Sequence, residues 1–375
     1  MLADRLSDCA RRVVNRDACG PLASSSHEGP TVEPFTHAFS SLALARAGQR
    51  HLPRFGTAMM VVSGIAPDLD YASYLGGAGA FIRWHRTVLH SVIGTGVMVC
   101  VIAGAFFVLD RRIPLKKSKA AVGLLPLRFG PALGVCALGA AGHLLLDLVS
   151  GVGVQFLWPF RVHWYGRELT TNFDPWVLAL LVIGLLLPLL FKLVNEEVTS
   201  GQKRRSGAPS AIVTLMLLAA YFGLRAQWRG EAVDLLLSRE YHGRIALAGY
   251  AFPEASSPLN WRGIAVTDDT LEEVEVLPTR AEEFDSNSSV TRYKPQDSPA
   301  LEIAEKSAAA VRFLAYARAP IATVRRIEDD YGVDVRDARF PEEDDEAANV
   351  ILRVDLSSNL QIRREELLFA SSANR

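Results

Sequence analysis

Apolar residues gather into long runs over the first two thirds of the chain, and give way to a shorter, mixed pattern over the last third. Two runs stand out, Val88–Leu109 and Trp176–Val194, the second with a solid Leu/Val/Ile core. Each is close to the ~20 residues that a helix needs to cross a hydrocarbon layer. Pro131–Val149 is a third, opening after the breakers Pro126 and Pro131, and Ala211–Leu224 is a shorter fourth. Phe35–Ala47 and Phe55–Ala66 are shorter still, so they are tilted, deeply buried, or paired as a re-entrant hairpin. The pattern predicts an all-α polytopic membrane domain over residues 35–226, with about four to six transmembrane or re-entrant helices.

Residues 227–375 read as a soluble α+β domain. Tyr241–Pro253, Ala265–Leu277, Val333–Phe340 and Val350–Leu356 have strand-like content, and Ala300–Ala317 has helical periodicity. Phe252–Leu259 and Asp285–Pro299 are turn-rich stretches that punctuate it. Residues 1–34 carry charges throughout, with no apolar core of a signal peptide, and the Ser24–Ser26 run predicts a disordered tail.

Charge sharpens the division. The 375-residue chain has a net charge of −1, but residues 227–375 carry −10 and the first 226 carry +9. A basic apolar part followed by an acidic polar one predicts a membrane domain and then a water-soluble one, with the lipid bilayer as partner and no nucleic-acid binding. The acidic run Glu342–Glu346 lacks the spaced glycine of a calcium loop and reads as a solvated loop. The four cysteines, Cys9, Cys19, Cys100 and Cys136, have no metal-knuckle spacing.

Three connecting segments are basic. They carry Arg46, Arg50 and Arg54; Arg111, Arg112, Lys116, Lys117 and Lys119; and Lys192, Lys203, Arg204 and Arg205. If all six apolar stretches cross, these three fall on one face, which the positive-inside rule makes cytoplasmic. The alternate loops, residues 67–87 and 150–175, and the C-terminal domain then lie outside.

Ionisable side chains at membrane depth are costly and mark functional sites. Here they gather at one set of helix ends. His37 opens the first short helix, Asp68 and Asp70 close the second, His85 and His90 open the third, and His143 and Asp147 close the fourth. The topology, drawn from Lys and Arg alone, puts all seven on the external side. His143 and Asp147, four apart on a helix, share a face and can grip one cation. Asp68 and Asp70 flank one residue, so an extended backbone would point both carboxylates the same way. Imidazole nitrogens with carboxylate oxygens suit a divalent transition metal, zinc first and manganese or iron next. Taken singly, each residue has an ordinary reading: an interfacial histidine, as for His51, His163 and His242, a turn aspartate after proline, or a buried His–Asp pair. Four histidines and three aspartates at one face exceed those readings.

Thr36-His37-Ala38, Pro67-Asp68-Leu69-Asp70, His85-Arg86, His90-Ser91, Gly142-His143-Leu144-Leu145-Leu146-Asp147 and Trp158-Pro159-Phe160 form an ordered set over roughly residues 35–165. This set resembles the LexA-regulated inner-membrane metal-dependent hydrolases of bacteria. More distantly, it is similar to the zinc-dependent phospholipase C and nuclease group, although a second His-x-x-x-Glu pair is missing. The resemblance implies a bacterial inner-membrane location and metal-dependent hydrolysis. His37, Asp68, His85, His90, His143 and Asp147 are then the expected metal ligands, with Asp70 a carboxylate behind them or a general base. Arg86 is expected to hold a phosphoryl oxygen, and Arg83 to meet anionic lipid headgroups. A site at the membrane–water boundary predicts a lipid or lipid-linked substrate, a phosphoester first, although an amide or another ester would satisfy the same site. The rival readings are a membrane scaffold with a structural metal, and an ion or solute transporter. The absence of carboxylates deep in Trp176–Leu190 weighs against the transporter.

Overall fold

The computed structural model describes residues 33–113, 126–198, 207–341 and 348–373. Nearly all of the N-terminal tail, the Lys116–Lys119 and Lys203–Arg205 segments and the acidic run Glu342–Glu346 lie outside the described residues.

The first part is helical: α1 (Glu33–Ala47), α2 (Gly56–Ile65), a 3-10 segment (Ala66–Gly76), α3 (Gly77–Trp84), α4 (Val92–Arg112), α5 (Phe129–Val149), α6 (Pro175–Val198) and α7 (Ala208–Leu237). Among the described residues three helices, α4, α5 and α7, are long and apolar enough to cross a membrane. At about 1.5 Å per residue, α1 and α2 reach only ~22 and ~15 Å, short of the ~30 Å hydrocarbon core.

Two boundaries differ from the apolar runs. Helix α4 begins at Val92 rather than Val88, because the Ser91 hydroxyl caps it by accepting from Gly94 N at 3.0 Å. Helix α7 continues well past Leu224, so the boundary expected at Gln227 falls inside a helix. Its last turns stay helical because Ala232 and Leu236 are buried against Tyr241, Trp261 and Val276 of the following domain. Arg225, fully buried in the same helix, stacks over Trp261 at 4.1 Å and donates to the carbonyls of Leu169 and Pro258.

Small residues let α1, α2 and α5 approach closely. A Cβ at Gly64 would overlap Ser41, and one at Gly139 would overlap the Met60 carbonyl and the Ser63 hydroxyl. Small residues at such crossings let helix backbones pack in direct van der Waals contact. At one end of the bundle, Arg54 binds Asp110 at 2.8 Å, and Asp110 also accepts from Leu127 N at 2.9 Å. That pair ties the start of α2 to the end of α4 and the start of α5. The opposite ends of these helices carry the histidines and aspartates.

The second part holds two four-stranded antiparallel sheets. One has the order β3-β4-β5-β6, from β3 (Ala248–Pro253), β4 (Trp261–Val266), β5 (Thr270–Val276) and β6 (Val290–Tyr293). The other runs β10-β9-β8-β7, from β7 (Pro320–Ile327), β8 (Asp330–Asp337), β9 (Val350–Leu356) and β10 (Ile362–Phe369). A two-residue pair, β1 (Glu240–Tyr241) and β2 (Arg244–Ile245), precedes them. The helix expected over Ala300–Ala317 is two, α8 (Pro299–Glu305) and α9 (Ala308–Tyr316), because Ser307 turns the chain and caps the second through Ala310 N. Strand β4 escapes the alternation rule because it is buried almost throughout. Strand β10 escapes it because its first half is exposed and charged.

The two parts share one core. Ala78 and Ile82 of α3, with Val152 and Trp164 of the loop after α5, pack into the cluster of Phe313, Tyr316, Val333 and Leu352. Burying such side chains contributes roughly 1.5–3 kcal/mol each, more than the exposed ion pairs of the sheets supply. Polar ties add to it. Arg339 donates to Gly151 O at 2.7 Å, Arg318 to Trp164 O at 2.8 Å, and Glu168 binds both Arg229 and Arg318. Phe369 of β10 stacks on Tyr74 at 4.6 Å. The sheet domain therefore grips the two segments, residues 66–84 and 150–168, that frame the polar cluster.

Candidate metal centre

Pro67 sits in the first turn of the segment after α2, and that segment winds into a 3-10 helix instead of extending. The carboxylates of Asp68 and Asp70 consequently part, which corrects the expectation that an extended backbone would align them. Asp68 turns toward the ends of α1 and α5. Asp70 turns toward the residues between α3 and α4, where its two oxygens receive His85 Nδ1 at 2.8 Å, His90 Nδ1 at 2.9 Å and Arg86 N at 3.0 Å.

Among the described residues, two overlapping groups could hold a metal ion: His90, His143 and Asp147, and His37, Asp68 and His143. In the first, His90 Nε2 lies 3.0 Å from His143 Nε2 and 3.0 Å from Asp147 Oδ2, and His143 Nε2 lies 3.1 Å from that same oxygen. Asp68 Oδ1 stands 3.6 Å from His143 Nε2 and 4.0 Å from His90 Nε2. Ligand atoms about 2.0–2.1 Å from a tetrahedral zinc sit roughly 3.3 Å apart. The His90, His143 and Asp147 atoms fit that spacing within a few tenths of an ångström, and Asp68 Oδ1 stands outside it on the His90 side.

Protonation makes the same point chemically. His143 Nδ1 lies 2.8 Å from the carbonyl of Gly64, which can only accept, so Nδ1 carries the proton and Nε2 presents a lone pair. His90 Nδ1 is likewise committed to the Asp70 carboxylate. Two nitrogens and a carboxylate oxygen thus converge, all fully or almost fully buried, on a point that calls for positive charge. Protonated His90 can supply it. Burial opposes its charge, but bonds to Asp147 and Asp70 prevail and raise its pKa to about 10. Asp70, whose burial works the other way, is held at about 2 by His85 and His90. A dication would take the place of that proton.

His37 stacks on His143 with ring centroids 3.8 Å apart, and its Nε2 lies 3.4 Å from Asp147 Oδ1. Its Nδ1 is buried and has no hydrogen-bond partner among the described residues. His85 stands apart from both groups. Its ring lies against Phe81 at 4.4 Å, edge-on to Tyr71, with Nδ1 on Asp70. Arg86, in a left-handed backbone conformation, is buried and reaches across the cluster. Its Nη1 donates to Ser150 Oγ at 2.8 Å and its Nη2 lies 3.2 Å from Asp147 Oδ1.

A small pocket of about 30 Å³ opens beside the cluster. Its polar wall includes Thr36, His37, Arg86, Asp147, Thr170 and Asn172, and its apolar wall Leu146, Val177 and Phe222. Asp174 closes it below, capping α6 through the N–H groups of Trp176 and Val177, both at 3.0 Å. Sequence reasoning missed Gly64, Ser150 and the Thr170–Asp174 wall. Ser150 alone had a local signal, as a polar residue closing α5 three positions after Asp147. Arg83 is exposed over Trp84, and His51, His163 and His242 lie outside the cluster.

No curated protein and no solved structure matches the chain. One family model, described as YdjM inner membrane protein, matches residues 32–231. That span holds every residue of the cluster and more than half of the chain, which therefore belongs to the YdjM inner membrane protein family.

Proposed function

We propose that the protein is a multi-pass, metal-dependent hydrolase of the inner membrane, acting on a phosphoester or lipid-linked substrate at the membrane surface. The carrying observation is the convergence of His90 Nε2, His143 Nε2 and Asp147 Oδ2 within 3.1 Å of one another, with the outer nitrogen of each ring already committed. Metal-binding histidines are oriented in this way, by a carboxylate or carbonyl behind the ring. His90, His143, Asp147 and Asp68 would hold the ion, zinc first by their chemistry, with His37 within reach of a second position. Such a metal supplies the Lewis acidity that makes water nucleophilic near neutral pH.

The rest falls to the chain itself. Asp70 orients His90. Because both its oxygens already accept hydrogen bonds, the orienting role suits it better than that of general base. Arg86 holds Asp147 in place and presents positive charge to the cavity wall, where a phosphoryl oxygen would sit.

Purified in detergent and reconstituted with zinc or manganese, the protein should hold about one or two ions per chain. It should then hydrolyse a member of a panel of phospholipids and generic phosphoesters. Sub-stoichiometric metal on plasma emission analysis removes the basis of this reading. The proposed orientation places the cluster and the sheet domain outside the cytoplasm. A reporter active only in the periplasm should work when fused after Arg375, and a reporter active only in the cytoplasm should not; the opposite result reverses the topology.

A further inference from the structure

The Trp158-Pro159-Phe160 motif takes no part in the metal cluster, yet its placement is specific. The chain from Gln155 to Arg161 forms a closed turn: Trp158 N donates to Gln155 O at 3.1 Å, and Phe160 N and Arg161 N donate to Leu157 O at 2.9 and 3.1 Å. This turn is bolted to the outer end of α4, because Val92 N donates to Phe156 O at 3.0 Å and Gln155 N to Arg86 O at 2.9 Å. Its tip faces away from the protein. Phe160 is 80% exposed and Val162 64%.

A lone exposed phenylalanine is ordinary, but Phe160 with Val162, on a turn bonded to an exposed apolar helix face, marks a contact surface. Continuity identifies that occupant. Val92, Ile93, Val97 and Val101 of α4, a membrane-length helix, are exposed along the helix to which the turn is fixed. The tip lies at the level of the helix's first turn, where hydrocarbon gives way to headgroups. Charge agrees. Residues 156–167 contain Arg161 and Arg167, both exposed, and no acidic residue. Arg83, three residues before the Arg86 that the turn is bonded to, is also exposed and lies over the ring of Trp84 at 4.9 Å. Aromatic and aliphatic side chains interleaved with arginine make up an interfacial belt facing anionic lipid.

We propose that the Trp158–Val162 turn is an interfacial anchor, inserted into the bilayer leaflet beside the outer end of α4, with Arg161 meeting anionic phospholipid headgroups. The anchor fixes the mouth of the cluster at headgroup depth, since Ser150 and Thr170 of the pocket wall lie on the same loop. This inference needs α4 to span the membrane and does not depend on metal or hydrolysis.

The test uses the full chain with Cys9, Cys19, Cys100 and Cys136 replaced by serine, and Phe160→Cys carrying an environment-sensitive fluorophore. The protein is placed in vesicles of equal parts phosphatidylcholine and phosphatidylglycerol. Emission should shift to the blue and be quenched strongly by spin-labelled lipid, with little effect of aqueous iodide. A probe at Ile327, on the β7–β8 hairpin, should respond to iodide and not to the lipid quencher. Val162→Cys repeats the measurement if the first variant inserts poorly. Iodide quenching equal to that at Ile327 places the tip in water and overturns the proposal. Protection from both quenchers overturns it too, by showing a protein partner or a second copy at the tip.

Discussion

Asp147→Asn and His143→Ala should each lower metal affinity by roughly a hundredfold or more. A structural zinc site is worth about 10–16 kcal/mol over four ligands, so one ligand carries ~3 kcal/mol, and 1.4 kcal/mol is tenfold. Competition against a chelator of known affinity reads the change. Asparagine is the better replacement at 147, because it keeps an oxygen for Arg86, whose guanidinium lies 3.2 Å from Asp147 Oδ1. Alanine there would strand a buried cation, which costs about 3–5 kcal/mol by itself. His51→Ala and His242→Ala lie outside the cluster and should leave metal content unchanged. The comparison holds for variants that reach the membrane at normal levels. If the His143 and Asp147 variants bind as the parent does, the cluster is a hydrogen-bonded polar network and not a metal centre.

Asp70→Asn should produce a different signature. The carboxylate accepts from His85 Nδ1, His90 Nδ1 and Arg86 N, and asparagine offers a single oxygen and no charge. Loss of such an outer partner costs about 10–100-fold in metal affinity or activity. Metal should therefore be retained at saturating concentration while hydrolysis falls. His85→Phe removes only one of the three bonds and keeps the packing against Phe81, so its effect should be smaller. Should His85→Phe lose metal as fully as His143→Ala, His85 is itself a ligand, as its place in the sequence motif implied. Should Asp70→Asn do so, Asp70 is a ligand and not an orienter.

The particular residues show where sequence reasoning stops. The His143–Asp147 pair was legible because helical periodicity alone puts positions four apart on one face. Asp68 was expected as a ligand and Asp70 as a carboxylate behind the ligands or a base, but the backbone that separates them is a local choice the sequence pattern did not give. Beside Pro67 the chain winds into a 3-10 helix, and two carboxylates that an extended backbone would align face different partners. His85 and His90 present the same problem. Both contact Asp70 through Nδ1, and only the ring position of His90 brings its second nitrogen to His143. The part played by Gly64 was invisible, because a backbone carbonyl has no signature in the sequence.

The sequence by itself determined the apolar, basic first part and the acidic second part, the membrane-length helices, and the ordered His and Asp motifs. These are local properties, set by hydropathy, charge and the 3.6-residue period, and they survive without knowledge of packing. Tertiary structure alone decided which ligand atoms converge, since that depends on the close approach of α1, α2 and α5 at Gly64 and Gly139. It also decided that α7 runs on through the expected boundary, and that the sheet domain shares a core with α3 and the loop after α5. Such contacts join residues more than two hundred positions apart, as Phe81 and Phe369 show. Their energy comes from surface buried between distant segments, and no pattern along the chain records which segments those are.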